Sequence, residues 1–126
     1  MSARLSELAI DARDSWALAD WWSAVLETPV KEKGHEGGMR FATLAPPDSL
    51  REIVIIDVPE GKTVKNRVHL DLRPHGCDQA TELERLKALG ATEIDIGQGD
   101  QTWIVLADPE GNEFCLLRGR FDEPAA

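Results

Sequence analysis

Apolar and polar residues alternate through Val68-His69-Leu70-Asp71-Leu72-Arg73, so an extended chain there has one apolar face and one polar face. The polar face carries His69, Asp71 and Arg73, and a charged row on a strand must meet solvent, a ligand or a partner. The same period of two appears near the start, over Leu5 to Ala12, where Leu8 and Ile10 oppose Glu7 and Ala9. The period then changes. Leu18, Trp21, Trp22 and Val25 fall at i, i+3, i+4 and i+7, the stripe of an amphipathic helix. Asp14 or Ser15 caps it and Thr28-Pro29 ends it, which predicts a helix over Ser15 to Leu26.

A polar, glycine-bearing stretch from Val30 to Gly38 predicts a short strand and a turn, and Met39 to Leu44 a better strand, stopped by Pro46-Pro47. Glu52 to Val58 contains Ile53-Val54-Ile55-Ile56 and predicts a strand covered on both faces. After a polar linker the order repeats. Val68 to Arg73 is a strand, and Asp78 caps a helix over Gln79 to Leu89 whose buried side is Ala80, Leu83, Leu86 and Leu89. Gly90 is the expected residue of positive φ beyond it. Thr92 to Ile96 is a strand ended by Gly97-Gln98-Gly99-Asp100. Thr102 to Ala107 then pairs with Glu113 to Leu117 across Asp108-Pro109-Glu110-Gly111, a type I turn signature. A two-residue hairpin loop sets Trp103 opposite Leu116, and a slip of one residue turns its side chain to the other face.

The predicted order is strand, helix, three strands, given twice. The repeat lies in element order, not in residue identity. Neither unit can bury its sheet face alone, so the expected fold is one α+β domain. Its modules span about residues 5–58 and 67–118, joined by a linker over 59–66. Set side by side they make a curved, cup-shaped mixed sheet with the helices outside and a cleft inside.

Composition narrows the function classes. Fourteen Lys and Arg against 23 Asp and Glu give a net charge of −9, which repels phosphate backbones and argues against nucleic acid as a partner. Cys77 and Cys115 are the only cysteines and make no C-x-x-C pair, as suits a reducing compartment. No signal core interrupts the first residues and no apolar run is long enough to cross a bilayer, so a cytoplasmic protein is expected. Gly-rich phosphate loops, nucleophile elbows and H-E-x-x-H are absent from the sequence. His35 and His75 fall in predicted turns, and the basic cluster Lys62, Lys65 and Arg67 reads as a solvated loop or a dimer contact.

Three segments, Leu5 to Glu27, Pro59 to Leu72 (PEGKTVKNRVHLDL) and Leu106 to Leu117 (LADPEGNEFCLL), together resemble the vicinal oxygen chelate superfamily. That superfamily includes glyoxalase I, extradiol dioxygenases and the fosfomycin- and bleomycin-resistance proteins. The middle segment is similar to the lead into the second module of glyoxalase-like proteins of actinobacterial type. The resemblance implies the glyoxalase/bleomycin resistance/dioxygenase fold, a homodimer, and a divalent metal held by residues of the first and last strands of the modules. Glu7 stands where the first module often has His, His69 matches a frequent ligand, and Cys115 replaces the usual Glu of the closing hairpin. Glu113 shares the face of Cys115 but lies one step nearer the turn, roughly 6–7 Å away along the strand. The ligand set implied by the family is therefore incomplete, with Glu7, His69 and Cys115 as its candidates.

Three readings follow, the last a domain kept for dimerisation and protein contact alone. The first is a small-molecule-binding protein without the usual metal site, acting by sequestration or by acid–base chemistry at His69 with Glu7. Asp71, Trp103 and Cys115 would be its further ligand contacts, and its ligand amphipathic or cationic. The second is a metal-dependent lyase or dioxygenase that uses Glu7 and His69, with Cys115 or a water completing the site.

Overall fold

The computed structural model describes residues 1–47, 52–99 and 101–122. Element order follows the pattern of the sequence: β1 (Glu7–Ala12), α1 (Ser15–Leu26), β2 (Val30–Glu36), β3 (Met39–Leu44), β4 (Glu52–Asp57), β5 (Leu70–Leu72), α2 (Gln79–Ala88), β6 (Thr92–Glu93), β7 (Ile104–Ala107) and β8 (Glu113–Leu116). The chain forms two compact units, Met1–Gly61 and Lys62–Ala126, each with a four-stranded mixed sheet. The strand order is β1-β4-β3-β2 in the first and β5-β8-β7-β6 in the second. In both units the first strand pairs parallel with the last, and the other pairs are antiparallel. Among the described residues no helix is long and apolar enough to cross a membrane.

In the first unit, Asp14 accepts the Ala17 N–H and caps α1 at 3.1 Å. The helix buries Ser15, Leu18, Ala19, Trp22 and Val25, while Trp21 is half-buried with its ring edge-on to Trp22. On β4, Ile53 and Ile55 are buried and Val54 and Ile56 only partly, so one face is covered less fully than the sequence implied. His35 belongs to β2, not to a turn, and its ring meets the indole of Trp16 edge-on. That indole donates to the Phe41 carbonyl, and the Arg40 guanidinium lies over its face.

Asp57 ties the end of β4 to the start of α1. It accepts the Ser15 N–H and the Arg40 Nε–H, each at 2.8 Å. Partial burial works to raise its pKa, but Arg40 and the Ser15 N–H outweigh that and bring it from 3.8 down to about 2.

In the second unit, three elements differ from expectation. β5 holds only Leu70–Leu72, because the chain bends at Arg67 and Val68 and leaves Val68 exposed instead of on the apolar face. On α2, Leu86 is buried and Leu83 and Leu89 half-buried, but Ala80 is exposed. The helix is seated by Gln79 instead, whose side-chain amide donates to the Thr102 and Leu116 carbonyls. β6 shrinks to two residues, and Asp100, the last residue of the turn expected to end it, lies outside the described residues.

The hairpin between β7 and β8 takes the slipped register. Asp108 N–H donates to the Asn112 carbonyl, which leaves a three-residue loop closed by Gly111 at φ 88. The buried Asp108 carboxylate accepts the Glu110 and Asn112 N–H groups and organises that loop. Ile104, not Trp103, therefore pairs with Leu116.

Glu113 is an anchor for the segment that leads into the unit. Its carboxylate takes the Lys62 ammonium at 2.6 Å and the Asn66 N–H at 2.8 Å, and both side chains of the ion pair are largely buried. Lys62 is thus a paired residue, not part of a solvated loop. Burial raises the Glu113 pKa, but Lys62 and the N–H groups outweigh it, so the carboxyl titrates below its ordinary range.

Two expectations follow. A carboxylate with a depressed folded pKa stabilises above its ordinary pKa, and that contribution is lost as pH falls through the folded value. The stability from Asp57 is therefore complete above about pH 4 and fades toward about 2. Asp57→Asn is expected to lower the melting temperature at neutral pH and to flatten its acid limb in that window; an unchanged limb contradicts the assignment. Glu113→Ala leaves Lys62 and the Asn66 N–H unmatched, and is expected to cost about 1–3 kcal/mol in urea unfolding. A cost within error of zero would show that the anchor contributes nothing.

Candidate functional site

The parallel pairing of β5 with β8 sets Leu70 opposite Phe114, Asp71 opposite Cys115 and Leu72 opposite Leu116. Residues opposite one another in a sheet project from the same face. Phe114 and Leu116 are buried on one side with Leu70 and Leu72 beside them, so Asp71 and Cys115 share the other side. His69 precedes the strand by one residue and shares the side of Asp71. Its Nδ1 lies 3.1 Å from Asp71 Oδ1, and Cys115 Sγ lies 4.0 Å from the same nitrogen.

His69 is bonded to the carboxylate of Asp71, two residues further along the chain. Nδ1–H donates to Asp71 and leaves Nε2 with its lone pair, a hydrogen-bond acceptor on an exposed ring. An imidazole oriented in this way can take a proton from a bound molecule while Asp71 stabilises the resulting cation. Cys115 is buried. Burial first, and then the Asp71 carboxylate, push its thiol above the usual range, against a smaller downward pull from Lys65.

Glu7 belongs to the first unit, opposite Glu52 at the start of β1, with its carboxylate accepting the Ser6 hydroxyl. Trp103 sits in a bend just before β7 and is 37 % exposed. Arg73 donates to the Gly119 carbonyl. Glu113 shares the face of Cys115 but is held by Lys62 and Asn66.

His69 Nδ1, an Asp71 oxygen and Cys115 Sγ all lie within 4.8 Å of one another. Four-coordinate zinc, with bonds of about 2.0–2.3 Å, separates its ligands by roughly 3.3–3.7 Å. The three donors match a small divalent ion in number and type, while the 4.0 Å between Cys115 Sγ and His69 Nδ1 is longer than that spacing. The role of Asp71 as a third donor was legible only as the spacing His-x-Asp. Its meaning depended on a cross-strand neighbour that the sequence does not name.

Solved structures show the same fold at low identity. The fosfomycin resistance protein FosX from Mesorhizobium loti is 18 % identical, with a TM-score of 0.71 over 96 % of this chain and 95 % of that one. FosX from Listeria monocytogenes, complexed with Mn(II) and sulfate, is 16 % identical, with a TM-score of 0.72 over 98 % of both chains. The YycE protein of Bacillus subtilis, a putative glyoxalase/fosfomycin resistance protein of unknown function, is 13 % identical, with a TM-score of 0.70 over 93 % of this chain and 92 % of that one. No curated protein sequence matches the chain. A family model for the glyoxalase-like domain matches residues 7–117, and the chain accordingly belongs to the glyoxalase-like family of the vicinal oxygen chelate superfamily.

Proposed function

We propose that the chain binds a small organic molecule against His69, Asp71 and Cys115, without the ligand set usual for a metal in its superfamily. The observation that carries this reading is the hydrogen bond from His69 Nδ1 to Asp71 Oδ1, which fixes the ring and presents Nε2 as an acceptor. The ligand would carry an O–H or N–H group for that nitrogen. Net charge and Asp71 favour a neutral or cationic molecule over an anion. Burial of Cys115 between Asp71 and Val105 adds an apolar floor. The chemistry available is sequestration, or proton transfer at a position next to a polarised group.

A small-molecule ligand is in keeping with the fosfomycin resistance proteins that share the fold. We read the Pro59 to Leu72 lead-in as that of actinobacterial glyoxalase-like proteins. A metal-dependent lyase or dioxygenase is the second reading, favoured by the cluster of three donor atoms.

A thermal-shift screen of chelator-treated protein against a panel of small hydroxylated and amine-bearing molecules tests the first reading. Hits are expected to lose about twofold to tenfold in affinity on His69→Ala, the worth of a hydrogen bond between neutral groups. Asp71→Asn should weaken the same hits. Both side chains are exposed, so circular dichroism should not change. Hits that bind both variants as tightly as the parent would place the ligand elsewhere.

A further inference from the structure

We propose that Arg73 is a specificity-determining residue of the face that carries His69 and Asp71, its guanidinium receiving a neutral oxygen acceptor at the far end of an elongated ligand. The inference rests on the functional reading above and adds the second end of the molecule that is bound.

Arg73 completes the polar row of the sequence, and the fold holds it there. The ladder between β5 and β8 runs one step beyond both strands, since the Leu117 N–H donates to the Leu72 carbonyl at 2.7 Å. Arg73 therefore stands opposite Leu117, on the side of Asp71 and Cys115. A regular parallel ladder would next join the Gly119 N–H to the Pro74 carbonyl. That carbonyl takes the Phe121 N–H instead, at 2.8 Å, so the chain bulges between Leu117 and Phe121. The bulge sets the Gly119 carbonyl against Arg73, 3.2 Å from Nη1. Only glycine leaves room for this contact, because a Cβ at position 119 would lie 2.7 Å from Nη1. Beyond the bulge, Asp122 pairs with Arg120 and accepts the Gly76 N–H, which pins the tail to the loop after Arg73.

A guanidinium has five N–H donors, and the Gly119 carbonyl takes one. Arg73 is exposed and makes no ion pair among the described residues, so its other donors are open to a bound molecule. Asp71 stands between Arg73 and His69 and, with the net charge of −9, disfavours an anionic partner. A carbonyl oxygen meets both conditions. Four residues of extended chain separate His69 from Arg73, about 13 Å. The ligand class is thus a long molecule with an O–H or N–H for His69 Nε2 at one end, a carbonyl at the other, and an apolar middle over Cys115.

The test uses the full chain after chelator treatment. An ω-hydroxy amide of about eight carbons, long enough to bridge the two side chains, and the plain alcohol of the same length are titrated calorimetrically. The amide is expected to bind about tenfold to a hundredfold more tightly, the worth of a hydrogen bond to a charged group. Arg73→Ala should erase that difference and leave the alcohol's affinity unchanged. Gly119 is a positioning residue with no unusual backbone angle, so Gly119→Ala should do the same by displacing the guanidinium. The double variant should lose no more than either alone. Full amide affinity in Arg73→Ala, additive losses in the double variant, or a parent chain that binds neither probe would each overturn the inference. His69→Ala separates it from the reading beneath. If that variant weakens both probes while Arg73→Ala changes nothing, this inference falls and the functional reading stands; probes indifferent to His69 sink the reading itself.

Discussion

The pairing of two short parallel strands, β5 with β8, is the constraint on which the chemistry of this chain depends. A parallel register leaves no freedom about who stands beside whom. With Leu70 and Leu72 committed to the side of the buried Phe114 and Leu116, Asp71 and Cys115 are forced together on the other. A slip of one residue would exchange the faces, bury the carboxylate and expose the phenylalanine, at a cost of several kcal/mol in apolar transfer and charge desolvation. The apolar residues of β8 therefore hold the polar ones in place.

The first unit repeats the geometry with other residues, Glu7 standing at the position of His69. β1 pairs parallel with β4, Leu8 opposite Ile53 and Ile10 opposite Ile55, with both isoleucines buried. By the same count the pair corresponding to Asp71 and Cys115 is Ala9 and Val54. Neither has a polar atom to offer in its side chain. The two units share an architecture, and only the second puts a nitrogen, an oxygen and a sulfur within a few ångströms on its parallel seam. The acidic groups of the first unit are spent differently: Asp57 and Asp14 organise the start of α1 and hold Arg40.

Elements whose signal is local were legible in the sequence. α1 begins and ends where its cap and the Thr28-Pro29 pair put it, and β3 has the bounds its pattern predicts. The order of elements was legible for the same reason. Features decided by tertiary contact were not. The extent of β5 depends on a bend at Arg67 and Val68, and the seating of α2 on an amide of Gln79 that reaches two distant carbonyls. The hairpin register was missed because Asp108 spends its carboxylate on the loop backbone and lengthens the loop by one residue. Lys62 looked like a solvated charge because its partner lies in β8, far along the chain. At the site, the sequence marked His69 and Cys115 individually, but which carboxylate joins them is a property of the strand register.

That register can be measured directly. Opposed residues of a parallel pair have Cα atoms about 4.8 Å apart, inside the roughly 4.4–6.8 Å window in which a disulfide closes. In a Cys77→Ser background, Asp71→Cys should oxidise to an intramolecular disulfide with Cys115, read as loss of both free thiols with no change in oligomeric state. Leu72→Cys, on the opposite side of the strand, should not. Persistent free thiols in the first variant, or cross-linking in the second, would contradict the alignment that brings Asp71 to Cys115.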